Sequence, residues 1–250
     1  MLVPLWTSTK IRRTPLVVGI LVVLNVLFFV ETSGQLQVVA KDWGLAPLSN
    51  LTDSLASLER FKSGSALFTY AFLHASWFHL LVNLWFLIVF GCPTESRIGS
   101  IPFGLLYLLL AVLARFAQAA FDADPIRLVI GASGAISGIL GCHLALCPRS
   151  RFLSFVFLGF FGFVCEIPGV VYVAIWLLLQ WDGIQRRIVG DLDCDNIAWW
   201  AHIGGLVAGI GIGLALRLVL PNLGPEKQRV KPLETLRHPR LNRSPAAETR

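Results

Sequence analysis

The chain has 250 residues, of which 55% are hydrophobic and only 14% charged, with mean hydropathy +0.69 and formal net charge +6. A soluble domain carries about 25% charged residues, so this chain lacks the charge to cover a water-facing surface and most of it is expected in lipid. A secreted disulfide scaffold, a disordered chain and a soluble nucleic-acid binder are excluded.

A bilayer core needs about 20 apolar residues as helix. The first apolar run, residues 15–30, follows a basic start at Lys10, Arg12 and Arg13. It reads as an uncleaved anchor. A signal peptide is the rival reading, but Glu31-Thr32-Ser33-Gly34 is a poor cleavage site. The second run spans residues 67–91, its outer end broken by His74 and His79. The third spans 101–121 and the fourth 128–147. The fifth lies within 152–181 and is longer than one span needs. Pro168 divides it, so 152–164 is expected to lie along the interface or re-enter, with the span itself at 167–181. The sixth covers 197–220. The expected fold class is all-α, a polytopic bundle of six transmembrane helices; a seven-pass chain is the weaker alternative. The division is a short cytoplasmic N-terminus at 1–14, a membrane domain at 15–220 and a basic, disordered cytoplasmic tail at 221–250.

Six spans put both termini on one side, and the basic residues choose it. With the termini inside, 14 of the 21 Lys and Arg fall on inner segments, 6 on outer ones, and Arg115 lies within the third span. The net charge is thus mostly a topology signal. The tail can touch anionic lipid, and a nucleic-acid partner is not expected. The five cysteines make no C-x-x-C pair, so no zinc site or redox pair is indicated. There is no P-loop and no H-E-x-x-H. No cofactor or metal is expected.

Polar groups inside a membrane are costly and need a reason. Ser133 lies 16 residues before Arg149, which marks the inner end of the fourth span, and His202 lies 15 before Arg217 in the sixth. His79 lies 16 before Glu95 in the second. The helical rise places all three roughly 22–24 Å above the inner boundary, with Gly91 and Pro93 expected to end the second helix early. In a core of about 30 Å they share one level below the outer face. Asn83 lies one turn deeper than His79 on the same face. Serine needs a base to take its proton, and histidine is the usual one. Asn83, a histidine N–H and the Ser133 amide are donors for an oxyanion. Asp122, Asp124 and Asp191 fall in loops, so a Ser-His dyad suits the set better than a triad. Glycines at 131, 134, 138, 141, 204, 205, 209 and 213 would let the fourth and sixth helices approach closely. Taken singly, Ser133 reads as a packing serine, and His79 and Asn83 as partners for neighbouring helices. Ser137 is a rival nucleophile one turn deeper. His143 lies near the inner end and reads as structural, and His74 as a loop or interfacial residue. Arg115 either snorkels outward or pairs with Asp122 or Asp124.

From about residue 67 to 220 the chain resembles the rhomboid family of intramembrane serine proteases. Residues 72–83, ending His79-Leu80-Leu81-Val82-Asn83, are similar to the family's His-x-x-x-Asn helix. Gly91 with Glu95-Ser96-Arg97-Ile98-Gly99 resembles its Glu-x-Arg turn, and Gly131-Ala132-Ser133-Gly134 its Gly-x-Ser-Gly motif. Trp176 and Gln180 are similar to a common fifth-helix pattern, and Ala201-His202-Ile203-Gly204-Gly205 with Gly209 to the sixth-helix histidine motif. Gly-x-Ser-Gly alone is a weak signal; the motifs together, in this order, are specific.

The resemblance implies Ser133 as nucleophile, His202 as base, and His79 and Asn83 in an oxyanion hole. Glu95 and Arg97 would brace the inner loop. The implied reaction is hydrolysis of peptide bonds in or near transmembrane segments of membrane-protein substrates. It also implies that the loop within 31–64, with Trp43, Leu45 and Leu48, lies partly in the membrane, and that the fifth helix is a lateral gate. One departure is Ser137, which stands where the family carries an aromatic residue for the histidine to stack on. The stacking partner is then sought at Trp199 or Trp200, or is absent. The alternatives are a catalytically silent relative that binds membrane proteins, and a transporter, which lacks evident inverted repeats. Location in a cell (plasma) membrane with both termini cytoplasmic is the expectation, with an organelle membrane as the alternative.

Overall fold

The computed structural model describes residues 2–36, 66–121, 129–188 and 197–220. The loop with Trp43, Leu45 and Leu48, the acids Asp122, Asp124 and Asp191, Cys194 and the 221–250 tail lie outside them.

The architecture is mostly helical. Helix α1 is Leu16–Thr32, α2 is Trp77–Ile98, α3 is Ser100–Phe121, α4 is Ser133–Leu146, α5 is Gly169–Ile188 and α6 is Trp199–Val219. A one-turn helix, Ala66–Thr69, runs into a 3-10 turn, Tyr70–Phe72, ahead of α2. Among the described residues α2, α3 and α6 are long and apolar enough to cross a membrane, whereas α1 and α4 are apolar but shorter. The polarity is inverted relative to a soluble domain. Asn25, Glu95, Arg115, Gln118 and His143 are buried, while Leu16, Ile20, Val23, Leu27 and Val30 form an exposed stripe along α1. Phe78, Leu81, Ile101, Leu105 and Leu178 are exposed on other helices. An apolar belt this extensive is a surface for lipid.

Two sequence expectations are corrected. The fold is not all-α, because an antiparallel sheet of order β1-β2-β3 is present. Strand β1 is Leu2–Thr7, and β2, Arg151–Leu158, turns through Gly159-Phe160 into β3, Phe161–Pro168. The register runs Leu2↔Val156 to Thr7↔Phe152, and Arg151↔Pro168 to Leu158↔Phe161. Residues 152–164 therefore form a hairpin, not an interfacial or re-entrant helix. Gly159 has φ +63°, the conformation that a two-residue hairpin loop requires. A short apolar run rich in Phe and Val does not reveal by periodicity whether it is strand or helix, and the remaining strand, Leu2–Thr7, is far away in the sequence. Phe152 is fully buried, edge-on to Phe90 and Tyr172. The Trp85 indole N–H donates to the Pro4 carbonyl (2.6 Å), tying β1 to α2.

The second correction concerns α2. Gly91 and Pro93 do not end it; a π-helical segment, Leu87–Gly91, leads into Cys92–Ile98. Pro93 lies in the first turn after that segment, where a missing N–H costs little. The helix stops at Gly99, whose φ is +93°.

The start of α1 and the ends of α2, α4 and α6 are laced together. Glu95 is buried and accepts from the Val17 and Val18 amides (2.9 and 2.8 Å) and from Ser100 Oγ (2.6 Å). Pro15 offers α1 no side-chain cap, so the α2 carboxylate supplies one. Ser96 Oγ accepts from the Arg12 and Arg13 amides. His143 is buried between Thr94 Oγ1 (3.3 Å) and Thr9 Oγ1 (3.5 Å), the structural place expected for it. Arg217 donates to the Ala145 carbonyl (3.0 Å), holding the last turn of α4 to α6.

Candidate active site

The segment before α4 is held by its backbone. Gly131 N–H donates to the Tyr70 carbonyl (2.9 Å), and the Tyr70 hydroxyl donates to the Ala111 carbonyl (2.6 Å). Gly131 has φ +112°, and a Cβ there would stand 2.9 Å from the His79 ring. Only glycine satisfies both demands. Ser133 then becomes the first residue of α4, so its amide has no partner within the helix.

The α4 and α6 backbones touch. A Cβ on Gly205 would fall onto the Gly134 carbonyl oxygen, and one on Gly209 onto that of Gly138. This closeness lets a short side chain reach across. Ser133 Oγ lies 2.8 Å from His202 Nε2. The other ring nitrogen, Nδ1, lies 2.7 Å from Gln180 Oε1 of α5. An amide oxygen only accepts, so Nδ1 carries the ring proton, and the unprotonated Nε2 accepts from the Ser133 hydroxyl. On α3, Gln118 supports the arrangement: its Oε1 accepts from the Ala201 N–H (2.8 Å), capping the first turn of α6 beside His202.

Ser137 does not compete for the histidine. Its hydroxyl donates to the Ser133 carbonyl (2.7 Å). Two aromatic rings flank His202 in place of the missing one. Trp199 meets it edge-on with centroids 6.2 Å apart, and Trp176 lies tilted at 6.1 Å. Trp200 instead packs on Phe121.

A cavity of about 130 Å³ opens beside the pair, lined by Asn83, Phe86, Ser133, Ser137, Trp176 and His202 among others. Asn83 thus shares the cavity, although its Nδ2 donates to the His79 carbonyl (2.9 Å). His79 is not in the lining. Its Nδ1 accepts a long contact from the Ala75 amide (3.5 Å), which leaves Nε2 to carry the N–H, against Gly131. Ser76 Oγ caps α2 by accepting from the His79 amide (3.1 Å). His74 lies in the loop before α2, one of the two places expected for it, and there it is buried and meets the His79 ring edge-on. Arg115 is buried on α3 and does not snorkel to water.

Sequence reasoning assigned no role to Gln118 and took Gln180 only as part of a family pattern. Both are polar residues within apolar helices, and the rule that singled out His79 and Asn83 applies to them equally.

The sequence is also similar to known proteins. The family model of the Rhomboid domain matches residues 62–218. The chain is 31% identical over 202 residues to RHOMBOID-like protein 6, mitochondrial, of Arabidopsis thaliana, covering 74% of this chain and 55% of that one. It is 29% identical over 170 residues to Rhomboid protein 1, mitochondrial, of Saccharomyces cerevisiae, covering 66% and 44%. Rhomboid-like protease 1 of Toxoplasma gondii is 29% identical over 152 residues, 57% of this chain and 44% of that one. The chain spans about half the length of these curated relatives. With the Gly-x-Ser-Gly turn, the sixth-helix histidine and the domain match over residues 62–218 all in place, the chain belongs to the rhomboid family.

Proposed function

We propose that this chain is an intramembrane serine protease that hydrolyses peptide bonds in or near the transmembrane segments of other membrane proteins. The observation that carries the reading is the 2.8 Å contact between Ser133 Oγ and His202 Nε2. In this reading α1 to α6 each cross the bilayer, and both termini lie on the cytoplasmic face of a cell membrane, where most of the basic residues fall. Helix α4 has 14 residues. It is therefore about 21 Å long, shorter than a core of about 30 Å. Its first residue, Ser133, would then lie a few ångströms below the outer face, within reach of water.

His202 Nε2 takes the proton of Ser133 as Oγ attacks the scissile carbonyl carbon. The carbonyl oxygen gains negative charge beside the Ser133 amide, which has no partner within the helix, at the positive end of α4. His79 and Asn83 complete the donor set; Asn83 must first exchange its bond to the His79 carbonyl for one to the oxyanion. His202 then gives its proton to the leaving amine, and the acyl group stays on Ser133. A water, deprotonated by the same nitrogen, releases it. The chemistry draws on this chain's own residues, and lipid and the substrate segment are its partners.

The test is cleavage of a transmembrane substrate in liposomes by wild type, Ser133→Ala and His202→Ala. Cleavage by wild type and its loss in both folded variants is expected. No cleavage by wild type with several substrates would favour a silent, binding relative.

A further inference from the structure

We propose that Gln180 is a positioning residue for the base, so that the working unit is Ser133–His202–Gln180, spread over α4, α6 and α5. The inference rests on the protease reading above. A neutral imidazole has one N–H, and only the form with that proton on Nδ1 leaves Nε2 free to take a proton from serine. Gln180 Oε1, 2.7 Å from Nδ1, selects that form and fixes the plane of the ring. The side chain is buried, at 7% exposure, so water does not compete strongly for the bond.

The amide also suits its surroundings. A carboxylate in this position would carry a full charge into an apolar helix layer, at considerable cost. An amide oxygen gives the same orientation without charge, and its dipole points at the ring that becomes cationic during the reaction. Trp176, one turn before Gln180, packs on the same ring, so α5 holds His202 through two side chains. A displacement of α5 from α6 takes the acceptor with it, so the base is set only when α5 is seated.

The test uses the full chain in liposomes, scored for substrate cleavage and for fluorophosphonate labelling of Ser133. Absence of both in wild type would overturn the protease reading, and this inference with it. Against an active wild type, Gln180→Met removes the acceptor at nearly constant size. The expected result is a fall in kcat of about ten- to a hundredfold, with labelling slowed in parallel. KM stays within about twofold, because Met keeps the volume of the side chain that Gln180 contributes to the cavity wall. Gln180→Glu, whose carboxyl stays protonated in this apolar layer and so retains an acceptor oxygen without charge, is expected to recover most of the loss. A folded Gln180→Met enzyme with wild-type kcat would sink the inference, as would a folded Gln180→Glu no faster than Gln180→Met. Should Gln180→Met not fold, Gln180→Asn, whose oxygen is drawn back by one methylene, is expected to show the same kcat loss; wild-type kcat in that variant would refute the proposal.

Discussion

Gly209 of α6 lies so close to Gly138 of α4 that a Cβ on Gly209 would clash with the Gly138 carbonyl oxygen. The contact falls two helical turns along α6 from His202 and sets how near α6 stands to α4. Gly209→Ala must push the backbones apart, and packing of this density does not absorb such a shift locally. A hydrogen bond of 2.8 Å does not survive a separation of an ångström. The expected outcome is a loss of about 1–3 kcal/mol in stability, with fluorophosphonate labelling of the folded fraction slowed at least about tenfold. Labelling at the wild-type rate would mean that the helix spacing does not govern the Ser-His pair.

The Glu95 carboxylate does for α1 what no nearby residue does. Its oxygens accept from the Val17 and Val18 amides, and it has 1% exposure. Glu95→Gln keeps the shape but loses the charge and turns an NH2 group toward donors. A cost of about 2–4 kcal/mol in stability follows from hydrogen bonds to a charged group left unmade in a buried site. Detergent-solubilised variant should unfold at a clearly lower temperature, while cleavage per folded molecule stays near wild type. An unchanged melting temperature would contradict the capping role.

The site and the sheet were unequally legible in the sequence. Ser133, His202, His79 and Asn83 stand out because a polar residue in an apolar run has few bland explanations, and helical rise converts sequence separation directly into depth. The hairpin of β2 and β3 hid in the same composition. From Phe152 to Cys165 the one polar side chain is Ser154, which is itself buried, so no contrast marks which face is buried, and the partner strand begins at Leu2. Pro93 misled for a different reason: a π-helical segment directly before it removes the usual penalty of a mid-helix proline. The stacking role sought at Trp199 is met there by an edge-on contact, and Trp176 adds a second ring from α5.

The sheet should matter for stability rather than for chemistry. Phe152 has 0% exposure and fits among Phe90, His143 and Tyr172. Phe152→Ala leaves a cavity and is expected to cost about 3–5 kcal/mol. Chemical or thermal unfolding in detergent measures this. A loss below about 1 kcal/mol would show that the hairpin is not anchored as described.

Ser137 separates the nucleophile from its neighbour. Its hydroxyl is engaged by the Ser133 carbonyl and does not face His202, so Ser137→Ala should cleave within about twofold of wild type. A fluorophosphonate should still attach to Ser133 in that variant; attachment at Ser137 in wild type would reverse the assignment. Ser137→Tyr asks a different question. Gln180, Trp176 and Trp199 already hold the His202 ring, so an added aromatic brings little further orientation. Its ring must instead enter the cavity of about 130 Å³ that Ser137 lines. Labelling by a small fluorophosphonate should then stay within about threefold of wild type, because the dyad is untouched. Cleavage of substrates with a bulky apolar side chain beside the scissile bond should fall, mainly through KM, since space for that side chain is lost before the transition state forms. Equal KM values in the two proteins would mean that substrate does not use this cavity.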